Sequence, residues 1–64
     1  MAITMKAARI NAGMSQREAS KMLKISKNTL SNYENYKTTP DVEKSQKIAT
    51  LYGLTINDIV FFKQ

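Results

Sequence analysis

The sequence contains no cysteine and no histidine. Disulfide bonds and the zinc sites built from these two residue types are therefore excluded, and we expect neither a metal nor a cofactor. A chain of 64 residues buries only about 60% of the surface that its unfolded form exposes. The core must come from packing alone, which favours short helices with local contacts in a single domain over residues 1–64.

Long apolar runs are also missing. The longest covers residues 59–62, whereas a membrane span needs roughly 18 residues. The first 13 residues carry charge at Lys6 and Arg9 and lack the apolar segment of a signal peptide. We expect no membrane contact and a cytoplasmic location, which the absence of cysteine fits.

Acidic residues are few, and the net charge is +5. Residues 1–39 carry seven basic side chains against two acidic ones, whereas residues 40–64 carry three of each sign. A basic portion on a small domain with a pI near 9.8 suggests a polyanion as partner. A surface that is charged for solubility fits the charge alone equally well.

Residues that cap helices predict five helices and no sheet. Ser15 and Glu18 form a capping box, Ser26 caps the next helix, and Thr55 opens the last one. Pro40 marks the start of the fourth helix, a position where proline is tolerated. The predicted helices cover about residues 4–12, 15–24, 26–34, 40–52 and 55 onward.

The second and third predicted helices are separated by only about two residues. Ser20 is small where a following helix would cross, and Ile25 and Leu30 have the spacing of a hydrophobic staple across the Ser26 cap. This pattern predicts a helix-turn-helix at about residues 15–34. The third helix exposes a polar side that is rich in amides: Lys27, Asn28, Ser31 and Asn32.

Four segments carry a resemblance to a known family: MSQREAS (14–20), ISKNTLSNYEN (25–35), TPD (39–41) and YGLTINDI (52–59). From about Met5 to Phe61 the chain resembles the XRE family, the bacterial and phage repressors of the lambda-repressor and Cro type. The resemblance implies an all-α, five-helix DNA-binding domain. It also implies a sequence-specific transcriptional regulator that binds double-stranded DNA, as a repressor of prophage, plasmid or bacterial origin.

The resemblance assigns site residues to three roles. Base contacts fall to Lys27, Asn28 and Asn32, with Thr29 and Ser31 as weaker candidates; lysine suits guanine and asparagine suits adenine. Phosphate contacts fall to Ser15, Gln16, Asn35, Lys37 and Thr38. Arg9 and Glu34 correspond to a structural ion pair that links the first helix to the end of the third.

The sequence departs from the family pattern at three positions. Lys24 and Tyr36 stand where glycine is usual, and Ser45 stands where an aliphatic residue is usual. A positive φ at Lys24 would be strained, because a side chain disfavours that region.

The residues do not favour an enzyme, since there is no histidine or cysteine for general-base or thiolate chemistry, and we expect no small-molecule substrate. The alternative function is an antitoxin-type or adaptor protein that uses the fold to bind a partner protein. Such a module would expose apolar anchors on its third helix. On DNA we expect a homodimer at an inverted-repeat operator, assembled through the C-terminal segment with Phe61 or Phe62.

Overall fold

A computed structural model describes residues 2–62 of the chain. The elements in chain order are β1 (Ile3–Thr4), α1 (Met5–Asn11), α2 (Gln16–Leu23), α3 (Lys27–Glu34), α4 (Val42–Leu51), a short 3-10 turn (Ile56–Asp58) and β2 (Ile59–Val60). The prediction of an all-α, five-helix domain is confirmed in part, since most of the described residues are helical. No helix in this part of the chain is long and apolar enough to cross a bilayer.

The first three helices begin at side-chain caps. The hydroxyls of Thr4, Ser15 and Ser26 each accept a hydrogen bond from the backbone N–H three residues further on, over 3.0–3.1 Å. At α2 the Glu18 carboxylate also accepts the Ser15 N–H at 3.2 Å, which completes the predicted capping box. Each cap satisfies a backbone donor that a helix would otherwise leave unpaired at its start.

The fourth helix starts later than the sequence predicted. Asp41, not Pro40, is the residue that caps it, because the Asp41 carboxylate accepts the Lys44 N–H at 2.8 Å. The cap requires an extended backbone at Asp41, which places Val42 first in the helix and the buried Pro40 outside it.

The predicted fifth helix is wrong, and so is the predicted absence of a sheet. Thr55 does pair with Asp58, whose carboxylate accepts both the backbone N–H and the hydroxyl of Thr55 at 2.9 Å. The helical conformation ends there, and β2 pairs in parallel with β1, with Ile3 opposite Ile59. β-Branched residues on both segments favour the extended backbone.

The core lies between the four helices and β2. Met5, Leu30 and Ile48 are its largest fully buried side chains, and Phe61 is buried while Phe62 is exposed. The helices α2 and α3 pack on each other. Ala19 and Ser20 are buried on α2, small enough for this close crossing.

Among the described residues, two that are not glycine have a left-handed backbone, and both follow the end of a helix of the helix-turn-helix. Lys24 has φ 58° and Tyr36 has φ 59°. The left-handed residue lets the next N–H bond back to the helix, as Ile25 N does to Ser20 O at 3.0 Å and Lys37 N does to Asn32 O at 2.9 Å. Side chains make this conformation costly, so the family's usual glycines are replaced here at the expense of strain.

Candidate nucleic-acid interface

The outer face of α3 presents polar side chains to solvent. Lys27 and Asn28 are exposed and Asn32, one turn after Asn28, is half-buried. On the opposite face Leu30 and Tyr33 are buried in the core. The helix is therefore held by its apolar side, while amide and ammonium groups remain available on the other.

The two hydroxyl candidates on α3 already have partners within the helix. The Thr29 hydroxyl lies 2.8 Å from the Ser26 hydroxyl at the cap. The Ser31 hydroxyl accepts a hydrogen bond from the Asn35 amide at 3.3 Å. Both residues are half-buried, so they are less available to a ligand than Lys27 or Asn28.

The segment after α3 is exposed but anchored at its base. Asn35, Lys37 and Thr38 are exposed, and the backbone N–H groups of Lys37 and Thr38 both donate to the Asn32 carbonyl. The Tyr36 hydroxyl donates to the Val60 carbonyl at 3.3 Å and so fixes the loop to β2. The structure thus places the predicted phosphate candidates of this loop directly beyond the end of α3.

The two phosphate candidates at the start of α2 differ in their surroundings. Ser15 is exposed, and its backbone N–H and hydroxyl oxygen are both occupied by the capping box with Glu18. Gln16 is half-buried, and its side-chain Nε2 donates to Glu34 Oε1 at 3.0 Å. The contact between Gln16 and Glu34 was not predicted from the sequence.

Arg9 and Glu34 form a buried ion pair. Arg9 Nε donates to Glu34 Oε2 at 2.7 Å and Nη2 donates to Oε1 at 3.2 Å, while Nη1 donates to the Met14 carbonyl at 2.9 Å. The hydrogen bond to Glu34 raises the pKa of Arg9 further above its ordinary value. The pair joins α1 to the last residue of α3, and the Met14 contact ties in the chain that leads to α2.

Tyr52 adds an uncharged polar group beside this pair. Its hydroxyl is buried and has no hydrogen-bond partner among the described residues. Burial, and then the negative charge of Glu34, raise the pKa of Tyr52 to about 12. Nothing in the sequence spacing around Tyr52 signals a charged neighbour.

Each of the five carboxylates has a structural partner. Glu18, Asp41 and Asp58 cap helical segments. Glu34 forms the buried ion pair with Arg9. Glu43 forms an exposed pair with Lys47 at 3.4 Å. Residues 2–62 contain no cluster of three or more side chains suited to hold a metal ion.

The geometry is that of a helix-turn-helix whose second helix, α3, is buttressed by α1 and α2 and free on its outer face. The sequence profile described as Helix-turn-helix matches residues 5–59. The chain therefore belongs to the helix-turn-helix family of XRE-type DNA-binding domains, as the resemblance in the sequence implied.

A bacterial transcriptional regulator is similar to most of the chain. The HTH-type transcriptional regulator ImmR of Bacillus subtilis (strain 168) is 41% identical over 51 residues, which is 80% of this chain. The matched part is 40% of the length of that regulator. No solved structure shows a significant match to the chain.

Proposed function

We propose that this chain binds double-stranded DNA at specific sequences and regulates transcription as a repressor, in a prophage, plasmid or bacterial setting. The observation that carries the proposal is the polar outer face of α3, which a buried ion pair and a packed apolar side hold in place. Its similarity to a protein named as a transcriptional regulator supports the same function. The face lacks the exposed apolar anchors that a partner-binding helix would present.

Base recognition falls to the outer face of α3, inserted in the major groove while α2 abuts the backbone. Lys27 can donate to guanine O6 or N7, and the amides of Asn28 and Asn32 can pair bidentately with adenine. Thr29 and Ser31 rank behind these three, because their hydroxyls are already bonded within the helix.

Phosphate contacts fall to the two segments that flank this face. The exposed loop residues Asn35, Lys37 and Thr38 lie on one side, and Gln16 lies on the other at the first residue of α2. The backbone N–H groups at the start of α2 add a favourable dipole for an anion. Ser15 can offer only its hydroxyl hydrogen, since its other polar groups are used in the cap.

We further propose that the protein acts as a homodimer through its C-terminal segment. Val42 and Phe62 are 70% and 68% exposed, and both line an apolar groove that Ile56 and Val60 complete. A second copy that covers this groove would remove apolar surface from water and set the spacing of two recognition helices.

Selection of bound sites from a random duplex pool tests the proposed function. We expect enrichment of an inverted repeat whose half-sites are about 34 Å, one helical turn, apart or a multiple of it. A pool without enrichment would contradict specific DNA binding and would favour the alternative of an adaptor or antitoxin-type module.

A further inference from the structure

The Glu34 carboxylate, on α3, is hydrogen-bonded to side chains of two other helices, α1 and α2. It stands at the end of α3 with its side chain 2% exposed. It accepts two hydrogen bonds from Arg9 on α1, at 2.7 and 3.2 Å, and one from Gln16 on α2, at 3.0 Å. The ion pair with Arg9 accounts for structural stability, but it does not account for the bond to Gln16.

The chemistry of this bond fixes the orientation of the Gln16 amide. An ionised carboxylate only accepts hydrogen bonds, so the amide must turn its NH2 group, not its oxygen, towards Glu34. That NH2 group carries two hydrogens, and a single bond from it, to Glu34, is found among the described residues. Gln16 is half-buried, and the second N–H of its amide has no partner among the described residues.

We propose that Glu34 is a positioning residue for DNA binding, which orients the Gln16 amide so that its second N–H donates to a phosphate. This inference rests on the proposed function, because it requires a DNA backbone at the start of α2. Holding the amide in place before binding removes part of the side-chain entropy that ordering it on DNA would otherwise cost.

The arrangement also couples two parts of the interface. Glu34 belongs to α3, which carries the base contacts, whereas Gln16 belongs to α2, which meets the backbone. One carboxylate therefore sets the phosphate contact relative to the recognition helix. A loss of the Glu34 charge should weaken the phosphate contact even where the fold persists.

A double-mutant cycle on a selected duplex tests the coupling, with the variants Glu34→Gln, Gln16→Ala and both together. Gln16→Ala should weaken binding by about three- to tenfold, the range for one ordinary hydrogen bond. Glu34→Gln should weaken binding by a similar factor, because a neutral side chain at position 34 can both donate and accept and so no longer fixes the orientation of the Gln16 amide. The double variant should be little weaker than either single variant.

Arg9→Gln separates positioning from stability. It breaks the same ion pair but leaves the carboxylate facing Gln16. The affinity for DNA is measured per folded molecule. In the Arg9→Gln protein, adding Gln16→Ala should still reduce this affinity. In the Glu34→Gln protein, adding Gln16→Ala should cause no further loss of affinity. Equal costs in both backgrounds would overturn the proposal.

A measurement on the free protein keeps the proposal testable if Glu34→Gln folds poorly. The NMR signals of the Gln16 side-chain amide, assigned by their loss in Gln16→Ala, should show one hydrogen protected from solvent exchange and one exposed. Two equally exposed hydrogens in the wild-type protein would contradict the bond to Glu34. Binding without the predicted coupling refutes this inference alone, whereas no binding to any duplex refutes the proposed function as well.

Discussion

At the scale of single residues, the Glu34 carboxylate accepts hydrogen bonds from two other helices while it is buried. A buried charge that loses its partner is strongly destabilising, whereas an exposed pair contributes little. Residues 2–62 contain a pair of each kind, because Glu43 and Lys47 form an exposed pair on α4.

The first prediction compares these two pairs. Glu34→Ala should lower the free energy of unfolding by about 3–5 kcal/mol, because Arg9 is left charged and buried. Glu43→Ala, the matched control, should change it by less than about 1 kcal/mol. Urea unfolding at neutral pH measures both, and equal effects of the two substitutions would show that the Arg9–Glu34 pair is solvated.

The second prediction concerns the unpaired hydroxyl of Tyr52. The pKa is about 12 in the folded protein and about 10 in an unfolded chain. The folded state therefore keeps a proton that the unfolded state loses, and stability present below pH 10 is lost as the pH rises towards 12.

Tyr52→Phe should remove this alkaline loss. At pH 7 the substitution should change the free energy of unfolding by no more than about 1 kcal/mol, since the hydroxyl has no partner to lose. Urea unfolding at pH 7 and pH 11 should show a smaller difference for the variant than for the wild-type protein. Identical differences would mean that Tyr52 ionises as readily folded as unfolded.

The sequence could predict only some of these residue contacts. The assignment of Arg9 to Glu34 came from the family resemblance, and no spacing rule joins residues on different helices. The bond between Gln16 and Glu34 spans 18 positions, and it depends on how α2 and α3 cross. The base and phosphate contacts remain predictions.

At the scale of elements, helix starts were predictable where a side chain caps the backbone locally. Ser15 and Ser26 mark their helices because the bond spans only three residues. The C-terminal end was not predictable in this way. The Thr55–Asp58 pair resembles a helix start, but pairing of Ile59 with Ile3 depends on a contact between distant parts of the chain.

The third prediction concerns the turn between α2 and α3. Lys24→Gly should raise the free energy of unfolding by about 0.5–1 kcal/mol, because glycine adopts the φ of 58° without strain. Lys21→Gly removes the same charge inside α2 and should cost about 1 kcal/mol instead. Thermal unfolding compares the two, and destabilisation by Lys24→Gly would show that its side chain makes a compensating contact.

Tyr36 shows why such a substitution does not work at every left-handed position. Its φ is 59°, but its hydroxyl bonds the Val60 carbonyl and its ring packs against the core cluster. Glycine there would relieve strain and lose both contacts.

At the scale of the whole molecule, the basic excess and the apolar groove lie in different parts of the chain. The basic excess lies in residues 1–39, and the exposed apolar groove with Val42 and Phe62 lies in the electrically neutral remainder. This division suits a protein that meets DNA with one part and its own copy with the other.

The fourth prediction tests that division. On a selected inverted repeat the protein should bind as a dimer, and Phe62→Ser should weaken the second binding step without altering binding to a single half-site. Analytical ultracentrifugation with each duplex measures the stoichiometry. A strict one-to-one complex on the inverted repeat would contradict a dimer through the C-terminal segment.

The most direct test of the account is the affinity of four variants for a selected duplex and for a random one. Asn28→Ala and Asn32→Ala should each cost roughly 1–3 kcal/mol on the selected duplex and little on the random one. Lys37→Ala should weaken binding to both duplexes alike. It should also reduce the slope of the logarithm of the binding constant against the logarithm of the salt concentration by about 1. Lys47→Ala, which removes an equal charge from α4, outside the helix-turn-helix, should change neither affinity. Equal losses on both duplexes for the asparagine variants and Lys37→Ala would contradict base recognition by α3.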